Sequence, residues 1–333
     1  MTFPILKRTI IILGILLLLL GLFMMFSHIK YGFELFVVGI ITLPAGIFIP
    51  IYSDKKGEKK EIIKRVKSYP NIIQSFGITG MVILGMLLVS PLKTVLEKFT
   101  NKEISMFIGY ILSFGTVFMI IHSIKKYKEK VSSFNLSIEN KQIIPFIIVT
   151  SIALLVGFCG PISGLIPIPD SIQKSLLQLA GQTGVWTFVL MVIAAPILEE
   201  LIFRGIILDG LLKRYTPATS IMVSSLLFGI AHFNPWQFIT GLIIGAFSGW
   251  IYYKTKSLTL SIIIHAAVNL TGFTMRYFID LDSSMSQGII ESYGGLRNLT
   301  MLIIGSAIII TTSIYYIQRQ FKKREMVAAH NKL

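Results

Sequence analysis

The sequence predicts an all-α protein, a polytopic bundle of about ten transmembrane helices with both termini in the cytoplasm. Apolar residues make up 53% of the 333 residues, charged residues make up only 14%, and the mean hydropathy is +0.75; soluble chains carry roughly 25% charged residues. The apolar residues form runs long enough to cross a hydrocarbon core of about 30 Å. The basic residues lie in short clusters between these runs, as in membrane proteins, and not on one face that would bind nucleic acid.

The predicted spans follow from the apolar runs, since a helix rising 1.5 Å per residue needs about 20 residues to cross a membrane. The first run follows Lys7 and Arg8 like a signal peptide, but no small-residue cleavage site comes after it, so we interpret it as a retained helix. The eighth run carries Gly241, Gly245 and Gly249, a small-residue face that permits close helix packing. The ten runs cover residues 9–26, 31–52, 71–92, 104–124, 143–162, 183–212, 217–232, 236–253, 257–279 and 299–317.

The orientation is predicted from the lysine and arginine residues outside the spans. If the N-terminus is cytoplasmic and the spans alternate, 23 of the 31 basic residues lie on the cytoplasmic side and 7 lie on the other side. Cytoplasmic loops are enriched in lysine and arginine. The count therefore predicts cytoplasmic termini and a cytoplasmic loop at residues 54–70.

Residues 195–205 of the sixth predicted span include three ionisable residues, which are costly in hydrocarbon and indicate function by default. Glu200 and Arg204 are four residues apart, so they share a helical face and are expected to form an ion pair that offsets burial. Glu199 points about 100° away and has no such partner. Pro196 removes a backbone donor and favours a kink next to a polar environment. Glu199 is therefore the predicted chemical group and Glu200 its structural support.

Two later spans carry polar side chains that are expected to meet Glu199. His232 ends the seventh span, and His265 and Asn269 share one face of the ninth. Counted along ideal helices from their cytoplasmic ends, Glu199 lies about 21 Å deep and His232 about 22 Å deep, with His265 and Asn269 slightly nearer the cytoplasm. The sequence therefore predicts one polar site, filled with water, that all four side chains line.

These residues resemble the motifs of a known family. The chain resembles the CPBP family of intramembrane proteases (CAAX prenyl protease 2-like, bacteriocin-processing, also called Abi), because three motifs stand in the order found in that family: Glu199-Glu200-x-x-x-Arg204, Phe228-x-x-x-His232 and His265-x-x-x-Asn269. The resemblance covers roughly residues 186–272. It implies peptide-bond hydrolysis within the membrane.

The resemblance also implies roles for the four residues. Glu199 is the expected general base, His232 is expected to hold and polarise the water, and His265 with Asn269 is expected to stabilise the oxyanion. Metal dependence is open at this point, because Glu199, His232 and His265 would also make a zinc-type ligand set. The chain lacks the helical His-Glu-x-x-His pattern, so we favour no metal over one divalent metal such as zinc.

The motifs divide the chain into three predicted regions. Residues 1–142 form a four-span accessory region without a motif, residues 143–280 form the protease core, and residues 281–333 form the last span and a basic cytoplasmic tail. The single cysteine, Cys159, excludes an internal disulfide. The expected partners are the lipid bilayer and a membrane-associated protein or peptide substrate, and the expected location is a bacterial plasma membrane.

Two other classes of function remain open from the sequence. In an ion- or proton-coupled transporter, Glu199 and the histidines would form a relay, but the inverted repeats typical of transporters are not evident. In a non-catalytic bacteriocin-immunity protein or membrane scaffold, the three motifs would be retained for structural reasons.

Overall fold

The computed structural model describes residues 68–130, 133–167, 173, 177–178, 181–278 and 288–330, and within these residues all regular secondary structure is helical. The first two predicted spans lie outside the described residues. The other eight predicted spans each coincide with a helix. The helices are α1 (Ile72–Glu97), α2 (Lys102–Glu129), α3 (Lys141–Gly164), α4 (Val185–Leu212), α5 (Pro217–Ala231), α6 (Pro235–Thr255), α7 (Leu258–Met275), α8 (Ile289–Ser292) and α9 (Leu296–His330).

Six of these helices, namely α1, α2, α3, α4, α7 and α9, are long and apolar enough to cross a membrane. Their outward faces are apolar as well: Leu88 on α1 is 70% exposed and Ile308 on α9 is 59% exposed. Such continuous apolar surface is stable in lipid and not in water. The chain is therefore an integral membrane protein, while the count of ten spans and the orientation of the termini stay predictions.

Several helices begin at a side-chain cap, which explains where the apolar runs become helical. Asn71 accepts a hydrogen bond from the amide of Gln74, whose side chain bonds back to the Asn71 amide, a complete capping box. Helices α5 and α6 each begin with a proline directly after a capping side chain, Thr216 or Asn234. These local signals fix the helix starts without help from the rest of the fold.

Helices α5 and α6 form a tightly packed hairpin, in which α5 has only 15 residues. The glycine face of α6 lies against α5, and a Cβ atom at Gly241 would stand 2.8 Å from the Cα of Gly229. The packing role that the sequence suggested for this face is thus visible in the structure. Phe233 adopts a left-handed conformation, with φ of 52°, in the turn between the two helices. That turn ends α5 at the motif histidine, His232.

The two largest apolar cores of the described residues join different sets of helices. The first joins residues of α1, α2, α4 and α5, and the second joins residues of α3, α6, α7 and α9. Ile121 on α2 and Ile206 on α4, for example, are both completely buried in the first core. The division of the chain at residue 142 stays a prediction, but in the described residues the packing crosses that boundary.

Candidate active site

The two glutamates lie on a short α-helical turn of α4, Ala195–Glu200, between two π-helical segments. The segments are Val189–Ala194 and Leu201–Leu208. In the first segment, the amide of Ala195 donates to the carbonyl of Leu190, five residues earlier. Local π-helical geometry of this kind occurs often at functional sites.

Pro196 leaves one carbonyl of this segment without a helical donor. The next bond in the same register would run from residue 196 to the carbonyl of Met191, but proline has no amide hydrogen. The side-chain amide of Asn269 on α7 donates to that carbonyl instead, at 2.8 Å. Asn269 therefore uses one of its two amide hydrogens to connect α7 to the π-helical segment just before the glutamates.

Glu200 is almost completely buried and accepts hydrogen bonds or ion pairs from three elements. Its Oε1 lies 3.1 Å from Nη1 of Arg204 and 3.2 Å from Nδ1 of His265, and its Oε2 accepts from the hydroxyl of Ser248 at 3.3 Å. The ion pair expected from the spacing of Glu200 and Arg204 is present. The buried charge of Glu200 is thus shared among α4, α6 and α7.

Arg204 is fully buried and extends the same network. Its Nη2 donates to the backbone carbonyl of Gly245 at 3.1 Å, and its guanidinium lies 4.6 Å from the ring centroid of Phe228. The absence of a side chain at Gly245 makes this approach possible, because a Cβ atom there would lie 3.2 Å from Nη2. The glycine face of α6 therefore lets the arginine of the Glu200–Arg204 ion pair approach the α6 backbone.

Glu199 is also buried, with 8% of its surface exposed, but its two oxygens differ. Oε1 accepts a hydrogen bond from the hydroxyl of Tyr110 on α2 at 2.5 Å. Oε2 has no hydrogen-bond partner among the described residues and lies 3.9 Å from Nε2 of His265. Among the described residues, only Oε1 is thus held in place by a hydrogen bond.

The tautomers of the two histidines follow from their partners. Nδ1 of His232 lies 2.9 Å from the carbonyl of Phe228, which only accepts, so Nδ1 carries hydrogen. Nε2 of a neutral His232 is then a hydrogen-bond acceptor. By the same reasoning Nδ1 of His265 donates to Glu200, and its Nε2 faces Glu199.

The structure brings the predicted residues together to different degrees. Glu199, Glu200, Arg204 and His265 form one connected cluster. His232 joins it through an aromatic ring, since the rings of His232 and His265 pack edge-on against Phe228 with centroids 5.0 and 5.4 Å away. Asn269 contacts the backbone ahead of the glutamates and not their side chains.

An apolar groove of about 160 Å³ lies beside this cluster, between α1 and the turn joining α5 to α6. Phe76, Ile83 and Phe233 contribute to its lining, whereas the six predicted site residues do not. The groove is not the water-filled cavity that we expect around Glu199. That cavity stays a prediction.

A metal centre was one of the two cofactor alternatives for Glu199, His232 and His265. No group of three or more histidine, cysteine, aspartate or glutamate side chains in the described ranges is arranged to hold a metal ion. The residues as placed do not fit a three-ligand zinc site of the usual kind, and we derive no chemical step through a metal.

Sequence reasoning missed two residues of the cluster, Tyr110 and Ser248. Tyr110 stands inside the apolar run of α2, and Ser248 stands next to the last glycine of the α6 face. A hydroxyl in an apolar span is a weak signal, because it can bond within its own helix, as Thr79 does. Only the packing of α2 and α6 against α4 shows that these two hydroxyls reach the glutamates.

Comparisons with known proteins agree with the motifs. Residues 181–271 match the model of the family described as "Type II CAAX prenyl endopeptidase Rce1-like". The resemblance inferred from the three motifs is therefore confirmed over this segment, which contains all six predicted site residues. Tyr110 and the whole of α1 and α2 lie outside it.

Two bacterial proteins are similar to part of the chain. "Putative membrane peptidase YdiL" of Bacillus subtilis is 31% identical over 109 residues, which are 31% of this chain and 43% of the relative. "UPF0177 protein YxdF" of Lactococcus lactis is 31% identical over 89 residues, which are 26% of this chain and 49% of the relative. The matches span less than half of each curated relative. No solved structure matches the chain.

Proposed function

We propose that this protein is an intramembrane endopeptidase that hydrolyses peptide bonds of membrane-associated protein or peptide substrates. The match of residues 181–271 to a prenyl endopeptidase family supports the reaction class. The observation that carries the proposal is the state of Glu199, whose Oε2 is buried, unpartnered among the described residues and 3.9 Å from Nε2 of His265. A buried base next to an imidazole is the arrangement that water activation requires.

In the proposed reaction, Glu199 removes a proton from a water molecule while the water oxygen bonds to the carbonyl carbon of the scissile peptide. The carbonyl oxygen becomes an oxyanion. The carbon–nitrogen bond then breaks, and the proton held by Glu199 passes to the leaving nitrogen. The products are a carboxylic acid and an amine, so atoms and charge balance without a further reactant.

The other residues have supporting roles in this proposal. Nε2 of His232 accepts a hydrogen bond from the water and holds it, because Nδ1 is committed to the carbonyl of Phe228. His265 is held by the bond between its Nδ1 and Glu200, and its Nε2 is directed toward the oxyanion. The second amide hydrogen of Asn269 is the other candidate oxyanion donor. Glu200 and Arg204 hold His265 and the turn in place.

The proposed setting is the plasma membrane of a bacterium, with the helices arranged in ten spans. The similarity to proteins of Bacillus subtilis and Lactococcus lactis supports a bacterial setting. We propose a peptide or protein substrate that reaches Glu199 from the membrane. A nucleic acid partner is not part of this proposal, since the basic residues lie in loops between apolar runs.

The first prediction concerns Glu199→Gln, tested in proteoliposomes against a library of quenched fluorescent peptides, each carrying an apolar helical anchor. Loss of the general base should lower hydrolysis by at least about 100-fold, while the thermal unfolding temperature in detergent stays unchanged. Glu97→Gln is the matched control, because Glu97 is exposed at the end of α1. A chelator such as EDTA should leave the wild-type rate unchanged.

Full hydrolysis by Glu199→Gln would contradict the assignment of the base. If the wild type cleaves no member of the library, substrate trapping with Glu199→Ala and identification of the co-purifying peptide supplies the next substrate. Glu199-dependent proton flux without cleavage would instead favour the transporter, and binding without cleavage or flux would favour the immunity protein or scaffold.

A further inference from the structure

Tyr110 reaches the candidate active site from a helix that the family match does not include. Its hydroxyl donates to Oε1 of Glu199 at 2.5 Å. We propose that Tyr110 is a positioning residue, which holds Oε1 of Glu199 and so leaves Oε2 as the oxygen that acts as base. This inference rests on the proposed function and adds α2 to the active site.

The position of α2 against α4 is fixed by polar contacts on both sides of Tyr110. Near the start of α2, the carboxylate of Glu103 accepts from the amide of Gly184 at 2.8 Å. Near its end, the ammonium of Lys125 bonds the carboxylate of Asp209 at 2.9 Å and the carbonyl of Gly205 at 2.8 Å. The two helices therefore run in the same direction with a fixed register. The contact between Tyr110 and Glu199 lies between the Glu103–Gly184 contact and the Lys125 contacts.

The ring of Tyr110 is also held in place. It stacks on Phe114, one helical turn further along α2, with centroids 4.2 Å apart and an interplanar angle of 12°. Phe114 is 3% exposed and belongs to the core shared by α1, α2, α4 and α5. Fixing the aromatic ring also fixes the position of the hydroxyl oxygen, because this oxygen is bonded to Cζ in the plane of the ring.

The consequence for Glu199 is a difference between its two carboxylate oxygens. A charge-assisted hydrogen bond from Tyr110 locks the rotation of the carboxylate and draws electron density toward Oε1. Oε2 then points toward Nε2 of His265. Without the hydroxyl, the carboxylate would rotate and the base would spend less time aligned with the water.

The test compares Tyr110→Phe with Tyr252→Phe in the peptide-hydrolysis assay. Tyr110→Phe keeps the stacked ring and removes only the hydroxyl. Tyr252 is the matched control, a buried tyrosine on α6 with 6% of its surface exposed. We expect Tyr110→Phe to lower kcat by about tenfold or more with KM unchanged, as for loss of a hydrogen bond to a charged group, and Tyr252→Phe to leave both constants unchanged.

A second measurement does not depend on activity. Infrared difference spectra of the wild type and Glu199→Gln identify the carboxylate bands of Glu199, and these bands should shift in Tyr110→Phe but not in Tyr252→Phe. Wild-type kinetics and unshifted bands in Tyr110→Phe would overturn the proposal. Equal losses of kcat and of unfolding temperature in both tyrosine variants would also overturn it, since the hydroxyl would then be merely structural.

The two proposals fail in different ways. If the wild type hydrolyses neither the library peptides nor the peptide trapped by Glu199→Ala, the proposed function fails, but a band shift in Tyr110→Phe still supports the hydrogen bond that holds Glu199. If Glu199→Gln is inactive while Tyr110→Phe is fully active with unshifted bands, the protease proposal stands and the role of Tyr110 is wrong.

Discussion

At the scale of single residues, the adjacent side chains of Glu199 and Glu200 differ in how many hydrogen-bond and ion-pair partners they have. Glu200 has three partners on three helices, namely Arg204 on α4, Ser248 on α6 and His265 on α7. Glu199 has one hydrogen-bond donor among the described residues, the hydroxyl of Tyr110. A carboxylate held by three partners is a poorer base than one that keeps an oxygen without a hydrogen-bond partner. This difference supports the division of roles that the helical spacing first suggested.

The second prediction follows from the burial of the Glu200–Arg204 pair. Arg204→Ala leaves the carboxylate of Glu200 buried with fewer partners, and breaking such a pair costs about 3–5 kcal/mol. We expect a correspondingly lower unfolding free energy in detergent, together with lower activity. Arg297→Ala is the control, because Arg297 is exposed on α9.

A double-mutant cycle separates the pair from its surroundings. Glu200→Gln combined with Arg204→Ala should cost clearly less than the sum of the two single changes, because the two groups interact directly. Strictly additive losses in unfolding free energy would show that the pair is not coupled and would contradict its role as a structural support.

At the scale of the element, the irregular course of α4 explains how Asn269 contributes. Pro196 and the π-helical segment leave the carbonyl of Met191 to be satisfied from α7. The proline therefore has a second effect besides the kink. It leaves the carbonyl of Met191 without a helical donor, and Asn269 on α7 bonds to this carbonyl just before the glutamates. His265, one turn before Asn269 on α7, is brought to Glu200 by the same contact.

The third prediction tests this relation between Pro196 and Asn269. Asn269→Ala should lower the unfolding free energy by about 1 kcal/mol or more, because the carbonyl of Met191 loses its donor. In a Pro196→Ala background the new backbone amide can donate to α4 carbonyls, so the same change should cost less. Guanidinium or SDS unfolding of the four proteins in detergent measures both costs. Equal costs in the two backgrounds would contradict the explanation.

At the scale of the whole molecule, the arrangement of α2 and α4 is consistent with alternating spans. Glu103 meets Gly184 at one end and Lys125 meets Asp209 at the other, so the two helices are parallel. Parallel neighbours are expected when the chain crosses the membrane once between them, as α3 does in the predicted order. The orientation relative to the cytoplasm still depends on the basic residues of the loops.

The fourth prediction concerns that orientation. A cysteine introduced at Lys59, in the cytoplasmic loop predicted at residues 54–70, should react with an impermeant thiol reagent only after the membrane is permeabilised. A cysteine at Lys98, which is exposed between α1 and α2, should react in intact cells. The native Cys159 is buried and gives little background. The reverse labelling pattern would overturn the predicted topology.

The sequence by itself determined the helices and the contacts within each helix. Hydrophobic run length and capping residues such as Asn71 are local properties, so α1 to α7 and α9 lie where the runs predicted them. The spacing of Glu200 and Arg204 likewise fixed their ion pair, because residues four apart on one helix are always neighbours. His232, His265 and Asn269 were also identified from the sequence, as polar side chains in apolar spans, and the resemblance to a protease family supplied their expected roles.

Only the tertiary structure decided which groups meet between helices. The rotation and crossing of two packed helices depend on every side chain in their interface, so no spacing within the chain showed that Tyr110 reaches Glu199 or that Ser248 reaches Glu200. For the same reason the sequence did not indicate which group would bond to each oxygen of Glu199, while the structure gives a donor to Oε1 and none among the described residues to Oε2. The chemistry proposed for this site rests on that difference, which packing alone creates.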